Sequence, residues 1–359
     1  MEYTLCFIPD KLYFIHYNYY PNDKETVMMS VPGTRRYALG RIAVLALGAA
    51  AWMMGQPAAA QQFPSKPITI IVPFAAGGAS DMTARLVAKK LEESLKTTVL
   101  VDNRAGANSQ IGTAAVIHAE PDGHTLLLGT TSLINNVHLY SKLPYDASRG
   151  LRPVVGIVDV PVFLAVGPRM PVSDAREFIA AAKNSRGGLN FASAGAGSTL
   201  HLSSEWLKLN AGFDATHIPH RGSGPAVVAL ATSVVDFSME NYGPALPQMQ
   251  AKRVRLLAIG GPKRFPALPD IPTFKEVGLP DVDLSSWFVL MAPSATPDAV
   301  VQKLNQHVND ILAMPEVREK LIGIGLSPLG GSPEEMQARM RQDSGKWGAI
   351  IRSAKVSVE

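Results

Sequence analysis

An apolar run that stops at a glycine pair and restarts as a helix, Ile70 to Met82 (IIVPFAAGGASDM), sets the first constraint on this chain. Pro67 to Val72 is a short β-rich run. Beyond the glycines, Met82, Leu86, Val87, Leu91 and Leu95 recur at helical spacing, with Lys89, Lys90, Glu92 and Glu93 largely opposite. Thr98 to Val101 then reads as strand, Ser109 to His118 as helix and Thr125 to Leu128 as strand. A βαβαβ order of this kind predicts a parallel sheet covered by helices.

A second set follows Gly167-Pro168. Helices are expected at Asp174 to Lys183, Ser198 to Leu209, Pro225 to Thr232 and Ala245 to Lys252. Strands are expected at Leu189 to Ala192, Thr216 to His220, Asp236 to Met239 and Val254 to Ile259. Two apolar extended runs, Val160 to Val166 and Trp287 to Ala292, bracket this set, and only helices are expected after the second. The fold class is therefore α/β, with two α/β domains joined by two extended crossovers: 61–163 plus 290–359 as one, 164–289 as the other. Such a pair implies a hinge and a cleft, since ligands of open α/β sheets bind beyond the carboxyl ends of the strands.

The first 60 residues form a leader. Arg35, Arg36 and Arg41 precede Ile42 to Met54 (IAVLALGAAAWMM), and Ala58 to Ala60 follow. A basic stretch, a short apolar core and small residues make a signal peptide cut after Ala60 at 28–60; the apolar run is too short to span a bilayer comfortably. Residues 1–27 lie ahead of this signal, and a start at Met28 or Met29 is expected. The only cysteine, Cys6, lies there. The exported chain then has no disulfide, thiolate chemistry, Cys-based zinc site or lipid-bearing cysteine, and is expected to be free in the periplasm. A net charge of +4 spread along 359 residues gives no nucleic-acid patch.

The opening loop suits an anion. Gly77 and Gly78 let the backbone approach closely, Ser80 or Asp81 can cap the helix, and its first N–H groups favour carboxylate or phosphate. Nucleotide chemistry is disfavoured, because the chain has neither GxGxxG here nor a GxxxxGK[ST] anywhere. Three more small, polar loops sit at strand ends: Gly129 to Leu133, Ala192 to Thr199 (with Ser198 as an N-cap) and His220 to Pro225. Together they line a cleft with neutral donors. Catalysis has little support. Ser193 in FASAG lacks the first glycine of a nucleophile elbow. His217 and His220 are not expected to share a face, so a metal site is improbable. Asp236 reads as structural, and Trp287 as hinge packing. No cofactor or metal is expected.

Five segments carry a resemblance: KPITIIVPFAAGGASDMTARLVAKKL, VDNRAGANSQIGTAAVIHAEPDGHTLLLGTTS, FASAGAGSTLHLSSEWL, HRGSGPAVVAL and LPDIPTFKEVGLPDVD. In this order, from about Phe63 to the end, they resemble the substrate-binding proteins of tripartite tricarboxylate transporters, the Bordetella uptake gene (Bug) family. The resemblance implies a type II periplasmic-binding (Venus flytrap) fold. It implies a monomeric receptor that takes a small organic acid and delivers it to the membrane permease subunits of a tripartite transporter. In the family, the loop matching Phe74, Ala75, Gly77, Gly78, Ser80 and Asp81 holds a ligand carboxylate, partly through ordered water. Thr131 and Ser132, then Ser193, Ala194, Gly195, Ser198 and His201, then Arg221, Gly222 and Ser223 match the loops that complete the site, and Asn241 falls at the ligand's far end. Many members have proline where this chain has Ala75-Ala76. A sensor that signals to a kinase and a secreted serine hydrolase are the alternative readings.

Overall fold

The structure is a computed structural model that describes residues 63–146 and 149–358, with the backbone of three short strands before them. The chain divides into two units, Met1–Gln62 and Phe63–Glu359. In the first, Tyr3–Ile8 (β1) pairs antiparallel with Lys11–His16 (β2), and β2 with Met28–Met29 (β3). The apolar export segment and the cut after Ala60 lie outside the described residues.

The second unit begins with Ile68–Val72 (β4), Ala79–Leu95 (α1), Val99–Asn103 (β5), Gln110–Ile117 (α2), Thr125–Thr130 (β6), Ser132–Leu139 (α3) and Leu151–Val160 (β7). It continues through Phe163–Val166 (β8), Ala175–Lys183 (α4), Leu189–Ser193 (β9), Thr199–Ala211 (α5), Ala215–Pro219 (β10), Ser223–Ala231 (α6), Phe237–Glu240 (β11), Tyr242–Gln250 (α7) and Arg255–Ile259 (β12). It ends with Ser286–Pro293 (β13), Asp298–Ala313 (α8), Pro315–Gly323 (α9), Ser327–Gly330 (β14) and Pro333–Ser353 (α10).

Two sheets result. One has six strands in the order β14-β7-β13-β6-β4-β5, the other five in the order β10-β9-β11-β8-β12. The expected βαβαβ start is present: β4 runs parallel to β5 and β6. In the second sheet β9 runs parallel to β10 and β11, and β8 runs antiparallel to β11 and β12. The chain passes from the first sheet to the second at Pro161-Val162, since Val160 ends β7 and Phe163 opens β8. It stays beside the second sheet as far as Leu284, whose N–H donates to Gly260 O at 2.8 Å. Trp287 to Ala292 is thus no crossing; it lies wholly within β13 of the first sheet. Trp287 is fully buried, and its indole N–H donates to Asp343 Oδ2 at 2.9 Å.

The elements follow from their sequences. In α1, Ala84, Val87, Ala88 and Leu91 are buried at i, i+3, i+4 and i+7. They pack on Ile68, Ile70 and Val72 of β4. Each such aliphatic side chain is worth about 1.5–3 kcal/mol in apolar burial. Lys96, left-handed at φ 54°, ends the helix. Three elements of the second unit are absent from the sequence reading. Two asparagines interrupt the apolar pattern of α3 (SLINNVHL). Pro153 and Gly156 disguise β7, whose register against β13 slips twice. The segment SPLG looks like a loop, yet it pairs as β14 at the sheet edge, where proline is tolerated.

Candidate functional site

The loop from Phe74 to Asp81 leaves the carboxyl end of β4, and other side chains fix its shape. Asn103 Nδ2 donates to Phe74 O at 3.0 Å. Gly77 N donates to Asp81 Oδ2 at 3.0 Å. Arg85, one turn on, donates from Nε to the same oxygen at 3.1 Å and from Nη2 to Asn103 Oδ1 at 3.1 Å. Burial pushes the Asp81 carboxyl up, but Arg85, the Gly77 N–H and Asn103 outweigh it and hold it below the usual carboxylate range. Asp81 is therefore committed to shaping the loop. The cap expected from Ser80 or Asp81 is not there. The N-cap position belongs to Gly78, extended at φ −84° and ψ 170°, so the helix has no side-chain cap of its own.

What meets that helix end comes from the other sheet. Ala79 N lies 3.4 Å from Ser223 Oγ, and Ala75 N donates to Arg221 O at 2.9 Å. A Cβ on Gly78 would stand 3.0 Å from Ser223 Oγ. The positive end of α1 thus faces the start of α6 with no charged side chain between them.

The third loop, Ala192 to Thr199, is built differently. Ser198 caps α5, accepting from His201 N at 3.3 Å, as expected from sequence. His201 Nδ1 accepts from Gly197 N at 3.0 Å. His201 stacks on His217 with 3.9 Å between ring centroids, and Phe191 stacks on His217 at 4.9 Å. His217 Nε2 is 2.6 Å from Ser193 Oγ, which also accepts from Gly195 N at 3.1 Å. Burial, with lesser contributions from His217 and Lys208, pushes His201 down to about 3. Burial, then Lys208 and His220, pushes His217 down to about 4. Both imidazoles are neutral at neutral pH, and they brace the loop from beneath.

Thr131 is buried in a hydroxyl cluster with Thr199 and, at 2.8 Å, Ser286. Ser132 Oγ donates to Asn108 Oδ1 at 3.1 Å. Asn108 Nδ2 donates to Asn136 Oδ1 at 2.8 Å, and Asn136 Nδ2 returns to Asn108 O at 2.9 Å. Asn241 Nδ2 donates to Pro161 O at 3.2 Å, beside the first crossing. Its neighbour Glu240 is fully buried, and desolvation pushes its carboxyl up to about 8 despite the Ser238 hydroxyl at 3.1 Å. Asp236 accepts from Asn190 N at 2.8 Å and meets Arg169 Nε at 3.2 Å, a structural pairing.

These loops enclose a cavity of about 50 Å³. Phe74, Ser80, Ser132, Ala194, Ser223 and Asn241, all singled out from sequence, line it. The sequence reading missed its other walls: Ala79, Thr130, Val160, Thr199, Leu200, Ser286 and Phe288. Thr199 was one residue inside a recognised loop, whereas Ser286 and Phe288 are brought in by sheet pairing alone. No charged side chain lines the cavity among the described residues. Ala75, Gly77, Gly78, Asp81, Thr131, Ser193, Ser198, His201 and Gly222 shape these loops without lining it. A second space, of about 510 Å³, shares Phe74 and Ala194 with the first; Gly195, His220, Arg221 and Tyr140 line it, as does the stretch Ala105 to Ser109. No group of three or more His, Cys, Asp or Glu that could hold a metal occurs among the described residues.

Residues 83–356 match the family described as the tripartite tricarboxylate transporter family receptor. The protein BugT of Bordetella pertussis is 35% identical over 313 residues, spanning 87% of this chain and 96% of BugT. Among solved structures, Rpa4515 of Rhodopseudomonas palustris, described with adipate, is 33% identical with a TM-score of 0.79, covering 82% of this chain and 99% of its own. MatC of the same organism, described with bound malate, is 32% identical with a TM-score of 0.75, covering 80% and 100%.

Proposed function

The chain belongs to the tripartite tricarboxylate transporter receptor family, and from that premise we propose that it captures a small organic carboxylate between its two sheets. The observation that carries the reading is the start of α1. A 17-residue helix presents its first N–H groups to an interior cavity with no side-chain cap of its own. The amides of a first turn have no intrahelical partner, and a carboxylate there satisfies them with charge and hydrogen bonds together. Ser80 and Ser223 offer hydroxyl donors in the same cavity. A site of neutral donors need not break a buried ion pair to release its anion. Carboxylates described with Rpa4515 and MatC fit the same chemistry.

Each sheet with its helices is taken as a lobe, hinged at Pro161-Val162 and at Ser285-Ser286. The protein acts in the periplasm as a monomer and hands its ligand to the permease subunits of a tripartite transporter. Calorimetric titration with a panel of carboxylates is the direct test, after mass spectrometry of ligand released from protein purified without denaturation. If no carboxylate binds and none is released, the reading fails.

The Ser193–His217 contact of 2.6 Å is the one observation that favours a hydrolase. It also fits a bracing role. Ser193 is fully buried and bonds its own loop, and no carboxylate contacts His217 among the described residues. Ser193→Ala abolishing turnover of a p-nitrophenyl ester panel would reverse this assignment.

A further inference from the structure

A third space, of about 80 Å³, lies beside the first sheet and shares no lining residue with the two cleft spaces. Leu133, Ile134 and Val137 of α3, Ile117 of α2, Met291 of β13 and Met340 of α10 supply apolar walls. Val137 is 47% exposed and marks the side nearest solvent. No charged side chain lines this space among the described residues. It meets α3 on a face of its own. At about 100° per residue, Leu133, Ile134 and Val137 are turned away from Ser132, which lines the carboxylate cavity.

Two hydroxyls break the apolar lining, those of Thr113 on α2 and of Tyr145. Thr113 is fully buried, and neither its Oγ1 nor the equally shielded Tyr145 hydroxyl has a hydrogen-bond partner among the described residues. Two other buried helix hydroxyls return to the carbonyl four residues back: Thr83 to Ala79 O and Ser204 to Leu200 O, both at 2.8 Å. Thr113 does not. The Tyr145 hydroxyl lies near Asn136 and Thr113, and burial holds it above the ordinary phenol range, so it stays neutral. A buried hydroxyl without a partner loses its hydration and gains nothing in return. Any molecule that reaches both groups removes that deficit.

The size of the space selects among occupants. It is several times the roughly 10–15 Å³ that one water needs, and about half the roughly 150 Å³ of an engineered apolar cavity that takes benzene. Water fills it poorly, since a water needs polar partners on several sides and apolar cavities stay dry. A charged molecule would find no counter-ion there. We infer that this space is a second ligand site, separate from the carboxylate cleft. It takes a small neutral amphiphile of about four to six heavy atoms, such as a short-chain alcohol. The ligand's hydroxyl bridges Thr113 and Tyr145, and its tail lies on Met291 and Met340, whose flexible side chains fit tails of different shape.

The probe is n-butanol, with n-butylammonium as its charged counterpart, read by methyl NMR of protein labelled at methionine. The Met291 and Met340 signals, assigned through Met291→Leu and Met340→Leu, should shift saturably with n-butanol, in the millimolar range expected for so few atoms. With n-butylammonium they should stay still. Thr113→Val keeps the side-chain shape and removes one hydroxyl. Its affinity for n-butanol should fall roughly 2- to 10-fold, the worth of one neutral hydrogen bond. Xenon, which makes no hydrogen bond, should bind wild type and variant alike. Tyr145→Phe should act in the same direction, and replaces Thr113→Val if that variant does not fold. No saturable shift at either methionine overturns the inference. So does an equal response to n-butylammonium, or unchanged n-butanol affinity in a folded variant of either hydroxyl. None of these outcomes bears on the carboxylate site, whose affinity is measured separately by calorimetry.

Discussion

The helices α1 and α5 both begin at a strand-to-helix loop beside the same cavity, yet their first turns end in opposite ways. At α5 the chain finishes the turn itself: Ser198 caps it, and His201 and His217 brace the loop. At α1 the cap position is Gly78, and the nearest oxygen for Ala79 N belongs to Ser223 on the other lobe. A self-capped helix end is a structural part, complete wherever the lobes stand. An uncapped one is completed only by the facing lobe or by a ligand. On the proposed reading, the asymmetry separates the wall that is built from the wall that binds.

The most direct way to break the contrast is to fill the open end. Gly78 sits at φ −84°, a value that valine accepts, so Gly78→Val should fold normally. Its side chain would project to within about 3 Å of Ser223 Oγ and over the first amides of α1. Carboxylate affinity should fall by roughly 100-fold or more, the loss of two or more charge-assisted hydrogen bonds. The ligand-free melting temperature should barely move. Unchanged affinity by calorimetry would remove α1 from the site. The matching change at the other end behaves differently. Gly197 is left-handed at φ 78°, and a Cβ there would come within 2.6 Å of Leu139 and 2.7 Å of Asn108. Gly197→Ala should therefore lower stability and affinity together.

Acid should distinguish the two ends next. His217 and His201 have folded values of about 4 and about 3, below the ordinary 6.5. The unfolded chain then binds more protons between those values, so stability is lost as pH falls from about 6.5 towards 4. Asp81 has a lowered value, so its contribution persists until more acid conditions. Glu240 works the other way: raised to about 8 from 4.5, it favours the folded state most at low pH and loses that contribution as pH rises through 8. In a Glu240→Gln background, chemical denaturation at pH 6.5 and 4.5 should show a drop of up to roughly 4 kcal/mol, about half of it from each histidine. Adding His217→Gln should remove about half of it. An unchanged slope would mean that the α5 network carries no titrating role.

The sequence revealed one of these ends better than the other. Ser198 before a helical run is a local cap signal, and a glycine pair after an apolar strand is a local anion-loop signal. Phe74, Ser80, Ser132, Ala194 and Ser223 were found because they sit in such loops, and Asn241 through the family resemblance alone. Ser286 and Phe288 were not, because only the pairing of β13 between β6 and β7 brings them to the cavity. The stack of His217 on His201 depends on β10 lying beside β9, a long-range pairing that periodicity cannot show. Asn108 was hidden for a related reason: its partners Ser132 and Asn136 lie on α3, a helix that propensity did not reveal.

The mildest test uses two single hydroxyls. Ser198→Ala removes a cap that the fold relies on, and should cost about 1 kcal/mol of stability. Affinity should follow only weakly, since Ser198 shapes the wall without lining the cavity. Ser223→Ala removes the oxygen that faces Ala79 N across the lobes, at a 3.4 Å contact too long to hold much energy. Stability should change by less than about 0.5 kcal/mol, and carboxylate affinity by roughly 3- to 10-fold, the worth of one modest hydrogen bond. Denaturant melts and calorimetry on the two variants should therefore give opposite rankings. If both lose stability and neither loses affinity, α1 is capped by Ser223 in the same structural sense that α5 is capped by Ser198, and the distinction between the two walls disappears.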